Sequence, residues 1–191
     1  MATARGFIQL SGNVPQMLSK SRFCRRLHKL EDLSSSLFFQ ICHCLKAIAG
    51  AATYVLDSFP VAVCNNIRIS KSRIVKGKKW QGKHCSMRRY FYGVKVQVLT
   101  TSEGIPVKFC FVPGSESDVK ALAKLPLAVG AESCIYADAA YTDYQAEDDL
   151  MESENLRLLV SRKSNSKRPD EQCLAYLKNK CEKVLKQLLA L

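Results

Sequence analysis

"TYVLDSFPVAVC", residues 53–64, decides the fold. Its first half, Tyr54-Val55-Leu56, has the apolar, β-branched and aromatic content of a buried strand. It delivers a carboxylate, Asp57, straight into a second apolar stretch, Phe59 to Val63. An acid so placed is costly unless a hydrogen bond or a cation holds it. The arrangement returns in "ESCIYADAAY", residues 132–141, where another apolar run ends in Asp138.

Around these two strands the remaining elements follow. Residues 13–50 read as helical, with apolar residues at 27, 30, 33, 37, 38, 41 and 45 near a 3.6-residue period and Gly50 as the stop. The basic stretch 65–89 lacks periodicity and reads as a loop. "YFYGVKVQVLTT" alternates Val94, Val96 and Val98 against Lys95, Gln97 and Leu99. With the turn "SEGIP" and the return "VKFCFV" it predicts a hairpin over 90–112. "PGSESD" opens a helix with Ser115 or Ser117 as its cap, and Pro126 closes it. The helix "DYQAEDDLMESEN", the strand "LRLLVS" and a helical tail with Pro169 in its first turn complete the chain. Helices preceding the strands near 134 and 156 imply parallel neighbours. The expectation is an α/β fold: a mixed sheet, antiparallel hairpin plus parallel strands, flanked by helices, behind a short helical N-terminal segment.

If the two aspartate strands are parallel neighbours, both acids emerge at one edge, where ligands of open α/β sheets gather. Two carboxylates a few Å apart repel unless a cation sits between them. Magnesium suits such a pair, completing its shell with water and phosphate oxygens. For a single strand-end aspartate, the plainer role is a turn or cap residue.

Charge points to the anion. The 191 residues carry 29 Lys+Arg against 17 Asp+Glu, a net +12. Arg68, Lys71, Arg73, Lys76, Lys78, Lys79, Lys83, Arg88, Arg89 and Lys95 follow one another with no acid between them. Further clusters run from Lys20 to Lys29 and from Ser161 to Arg168, the last holding Arg162, Lys163 and Lys167. Nucleic acid is the expected partner. No apolar run approaches the ~20 residues that span a bilayer, and the N-terminus lacks a signal-peptide core, so a cytoplasmic protein is expected. Nine cysteines include no C-x-x-C pair. They read as small, buried, reduced thiols, and Cys42-His43-Cys44 as no metal site.

The phrases "NVPQMLSKSRFCRRLHKL", "YVLDSFPVAVC", "RRYFYGVKVQVLTTSEGIPVKFCFVPGSESDVKAL", "CIYADAAYTDYQAEDDL" and "LLVSRKSNSKRP" resemble, in order, a DDE-type bacterial insertion-sequence transposase. The resemblance covers residues 13–183. It implies a ribonuclease-H-like fold, a catalytic domain over 51–191 and a helical segment over 1–50 left from a DNA-end-binding region. It also implies Mg2+ or Mn2+, held by Asp57 and Asp138 as the first two catalytic aspartates, and duplex DNA, both transposon ends and target, as partner. Lys71, Lys78, Lys79, Arg88, Arg89, Lys95, Arg162, Lys163 and Lys167 would contact that DNA, with Tyr141 near the site. A homodimer and a nucleoid location in a bacterium are the matching expectations.

The third acid departs from the family. Where a glutamate is expected, in a phrase like Val-Glu-Thr, stands Lys186. "VLKQLLA", residues 184–190, can be encoded so that a shifted frame reads Val-Glu-Thr-Thr-Phe-Ser. A frameshift near Lys183 would account for this and leave a C-terminally incomplete, catalytically impaired domain. Glu182 lies four residues early, about 6 Å along a helix. Two rivals follow: a non-catalytic DNA-binding remnant, and a ribonuclease or junction nuclease on the same fold. The quoted phrases do not fit the second.

Overall fold

The computed structural model describes residues 4–13, 16–64, 75–84, 89–125, 127 and 129–189. The chain divides into two compact units, Met1–Ile41 and Cys42–Leu191. The first holds helices α1 (Ala4–Leu10), α2 (Lys20–Lys29) and the start of α3 (Glu31–Ala49). The continuous helix expected over 13–50 is therefore broken at Leu30 and begins only at Lys20. The charges on either side match the break. Arg26, His28 and Lys29 fill the last turn of α2, and Glu31 and Asp32 the first turn of α3, each complementing the helix end it occupies. Gly50, at φ 58°, ends α3 as expected.

The second unit is built on one sheet. Strand β1 (Thr53–Cys64) pairs antiparallel with β3 (Arg89–Thr101) along nearly its whole length. On its outer edge β3 pairs with β2 (Gln81–His84) and then with β4 (Pro106–Pro113), both antiparallel. On the other side β1 runs parallel to β5 (Cys134–Ala137), and β5 parallel to β6 (Arg157–Val160). The mixed order, with a long antiparallel meander and two short parallel strands, is ribonuclease-H-like. Strand β2 and the 3-10 turn Lys78–Trp80 before it replace part of the expected loop. "QGKH" carries no apolar alternation; pairing with β3 makes it a strand, with Gly82 opposite Phe91.

The hairpin turns at Gly104, whose φ of 89° favours glycine. Helix α4 (Asp118–Leu122) is capped by Ser117, whose Oγ accepts from the Lys120 amide at 3.5 Å. Helix α5 (Tyr144–Glu154) is capped by Asp143 and closed by the left-handed Asn155. Helix α6 (Gln172–Leu189) begins three residues after Pro169, so that proline precedes the helix and does not sit in its first turn.

Alternation along the strands divides the sheet's faces. Tyr54, Leu56, Leu99, Ile135, Leu158 and Val160 pack with Leu122, Leu125 and Leu156 in one core, each large side chain contributing about 1.5–3 kcal/mol. Val55, Asp57 and Tyr136 share the cleft into which Lys178 of α6 reaches. Of the eight described cysteines only Cys42 is buried, which corrects the expectation of buried thiols; all eight are free. Among the described residues no helix is long and apolar enough to cross a membrane.

Candidate functional site

Asp57 is not at the end of its strand. It sits in the middle of β1, opposite Val98 of β3. What ends there is the parallel ladder: Thr53, Tyr54, Val55 and Leu56 pair with Cys134, Ile135, Tyr136 and Ala137, and the pairing then stops. The last pair is Leu56 with Ala137, so Asp57 and Asp138 are the residues that follow it on the two chains. Both aspartates line one small, half-buried cleft, with Lys178. Because β2 adds a strand before β3, Asp138 follows the fifth strand.

Local backbone donors orient both carboxylates. Asp57 Oδ1 accepts from the Ser58 amide at 2.7 Å. Asp138 caps the 3-10 turn Ala139–Tyr141, its Oδ1 accepting from the Ala139 amide at 2.5 Å. The cap role of a strand-end aspartate is therefore real for Asp138, and its position beside Asp57 is additional to it.

Behind β1, on the core face, lies a polar network. Asp118 Oδ1 accepts from Ser58 Oγ at 3.0 Å, Gln97 Nε2 at 2.9 Å and Lys95 Nζ at 3.2 Å. The Tyr141 hydroxyl donates to Gln97 Oε1. Gln97 and Tyr141 are both 1% exposed. Burial pushes the Tyr141 phenol far up, and the charges of Asp118, Asp57 and Asp138 add to this. Lys178, also buried, donates to the Val160 carbonyl at 2.9 Å and to Asp170 Oδ1 at 2.6 Å. Among the described residues no three metal-ligating side chains converge. The side chains of Glu182 and Lys186 lie outside the described residues.

The basic residues divide by what they touch. Lys95 is paired with Asp118 and mostly covered. Arg162 forms a two-pronged pair with Glu147, Nη1 to Oε1 at 2.8 Å, in a half-buried position. Arg168 does the same with Asp148 at 2.8 and 2.9 Å. The two guanidiniums lie 5.1 and 4.9 Å from the Tyr144 ring centroid, and the Tyr144 hydroxyl meets Ser166 Oγ at 2.8 Å. The loop from Ser161 to Arg168 is thus fastened to α5 while Lys163 and Lys167 stay exposed. Lys78 and Lys79 are exposed too, with Lys79 Nζ over the Trp80 ring at 5.1 Å. Lys71 and Arg88, and the Arg89 side chain, lie outside the described residues.

The loop follows β6, so it leaves the sheet at the carboxyl ends of the parallel strands, where Asp57 and Asp138 stand. The β1–β3 ribbon runs past those ends toward β2, about 20 Å further on at ~3.3 Å per residue. Ser58, Gln97, Asp118 and Lys178 escaped the sequence reading. A signal existed for Gln97, an amide between Lys95 and Leu99 in an otherwise apolar strand. Asp118 looked like an ordinary first-turn acid.

The mixed sheet, with two aspartates just past the end of its parallel ladder, is of the ribonuclease-H-like class. Residues 48–186 match the family described as "Transposase DDE domain". The chain belongs to that family, whose partner is DNA and whose members are generally divalent-metal dependent. No curated protein and no solved structure matches the chain.

Proposed function

We propose that Asp57 and Asp138 form the metal-binding, catalytic carboxylate pair of an insertion-sequence transposase that cuts a phosphodiester at transposon ends and joins the freed 3′ hydroxyl to target DNA. The observation that carries this reading is the parallel register, which brings the two acids together where the ladder ends. Two carboxylates in one half-buried cleft suit Mg2+ or Mn2+, which leave most of their shell to water and phosphate oxygens. When bound, such an ion supplies Lewis acidity and a more acidic water. The protein's part is to hold the ion and the phosphate in line. Lys78, Lys79, Lys163 and Lys167 hold the DNA backbone; for Lys71, Arg88 and Arg89 the same role rests on their charge alone. Lys95 and Arg162 act through the carboxylates they already engage. Working on chromosomal DNA, the protein belongs in the bacterial nucleoid, and a homodimer would bring two ends together.

The same reading makes this chain a weak nuclease. The cleft offers two carboxylates and the Lys178 ammonium, which disfavours a second divalent ion. A non-catalytic DNA-binding product is the alternative this favours. The test compares Mg2+- and Mn2+-dependent cleavage of end-containing DNA by this chain, by Asp57→Asn and Asp138→Asn, and by a version in which Val-Glu-Thr-Thr-Phe-Ser follows Lys183. The restored version should cleave at least a hundredfold faster, and either asparagine should abolish its activity. Equal cleavage by the restored version and its asparagine variants would sink the assignment. Equal cleavage by this chain and the restored version would sink the impairment.

A further inference from the structure

We propose that Asp118, Gln97 and Tyr141 are positioning residues that set the separation of Asp57 and Asp138. The proposal rests on the metal-site reading above.

The end of the ladder is where a support is needed. Up to Ala137, β5 is held to β1 by strand pairing; Asp138 lies one residue past the last pair. From there the chain turns in a single 3-10 turn, with the Tyr141 amide donating to the Asp138 carbonyl at 3.0 Å. That turn is rooted by the Tyr141 side chain, which donates to Gln97 on β3. Strand β1 lies between β5 and β3, so this bond ties the turn after β5 to a strand that β5 does not pair with.

Gln97 in turn is the cross-strand partner of Ser58, the residue after Asp57. Gln97 and Ser58 both donate to the same Asp118 oxygen. A continuous hydrogen-bonded path therefore runs from the turn bearing Asp138 to the residue beside Asp57. Lys95, also a donor to that oxygen, neutralises the hub. The amide of Gln97 is locked, because its oxygen faces a hydroxyl donor and its nitrogen a carboxylate acceptor.

The chemistry of the path argues for geometry. Buried polar groups cost stability unless satisfied, and an apolar filling of the same shape would serve a core equally well. A satisfied network fixes one arrangement where apolar packing tolerates several. The path also stays off the reacting face. Ser58 and Gln97 point into the core, whereas Asp57 points into the cleft with Lys178. These residues position the carboxylates and do not touch substrate.

The test is Mn2+ binding to the full chain, followed by electron paramagnetic resonance, for Tyr141→Phe, Asp118→Asn, Ser58→Ala and Asp57→Asn. Circular dichroism and duplex-DNA affinity are measured alongside. Tyr141→Phe and Asp118→Asn should weaken Mn2+ binding five- to tenfold, with helix content and DNA affinity unchanged. A role in packing alone would lower the thermal midpoint and leave Mn2+ affinity where it was. The proposal is overturned if Asp57→Asn loses the ion while the other variants that fold stay within twofold of the parent. Ser58→Ala, the mildest change, decides should the first two not fold. If Asp57→Asn itself keeps the parent affinity, the underlying metal-site reading fails.

Discussion

Lys95 and Lys163 are the same residue with different uses. Lys95 is spent on Asp118, whereas Lys163 is exposed on a loop held from beneath. Each phosphate contact contributes about 0.9 to the slope of log affinity against log salt. Lys163→Ala with Lys167→Ala should therefore flatten that slope by about 2, and Lys95→Ala should leave it unchanged while lowering stability. Fluorescence anisotropy over a salt series checks both. Tyr141 carries a second expectation. Its phenol titrates near 10 when unfolded and is pushed up by burial when folded. The folded state thus keeps a proton the unfolded state loses, so stability is intact below pH 10 and falls above it. Tyr141→Phe should make that alkaline decline shallower by about 1.4 kcal/mol per pH unit, measured by urea unfolding at several pH values.

Among elements, β1 bears most on the fold, and much of it was legible. Its apolar run, Asp57 and the parallel strand ending in Asp138 could all be read from residue types. Pro60 went unread, although proline is confined to strand edges. Among the described residues β1 has only β3 as neighbour beyond Leu56. Strand β2 was not legible, since long-range pairing and not pattern makes it. Nor was the network: Asp118 and Ser58 are 60 residues apart, and no spacing rule joins them. Close approach of β1 and β3 has its own signature at Gly93, where an added Cβ would lie 2.1 Å from the Val61 carbonyl oxygen. Gly93→Ala should cost about 1–3 kcal/mol by forcing the strands apart, read from the urea midpoint. The two arginine pairs on α5 differ by exposure: 10% and 9% for Arg162 and Glu147, 50% and 49% for Arg168 and Asp148. Arg162→Ala should cost about 1–3 kcal/mol, leaving the half-buried Glu147 carboxylate alone, and Arg168→Ala about 0–1 kcal/mol. Thermal unfolding of the two variants separates them.

For the whole molecule, the net charge is +12. The exposed lysines of the loop after β6 stand by the ends of the parallel strands. The acids of α5 are drawn into holding that loop. The order of the strands carries a consequence in time. The β3–β4 hairpin closes a short loop and the β1–β3 pairs are 28 to 47 residues apart, while the β1–β5 ladder joins Thr53 to Cys134 across some eighty residues. Distant pairings form late, after their loop-closure entropy is offset by contacts already made. A ribosome that has released residues 1–113 has made a meander holding Asp57 and nothing to face it. The carboxylate pair is then among the last features to assemble. Substitutions in the meander should slow folding, whereas those in β5 and β6 should mainly hasten unfolding.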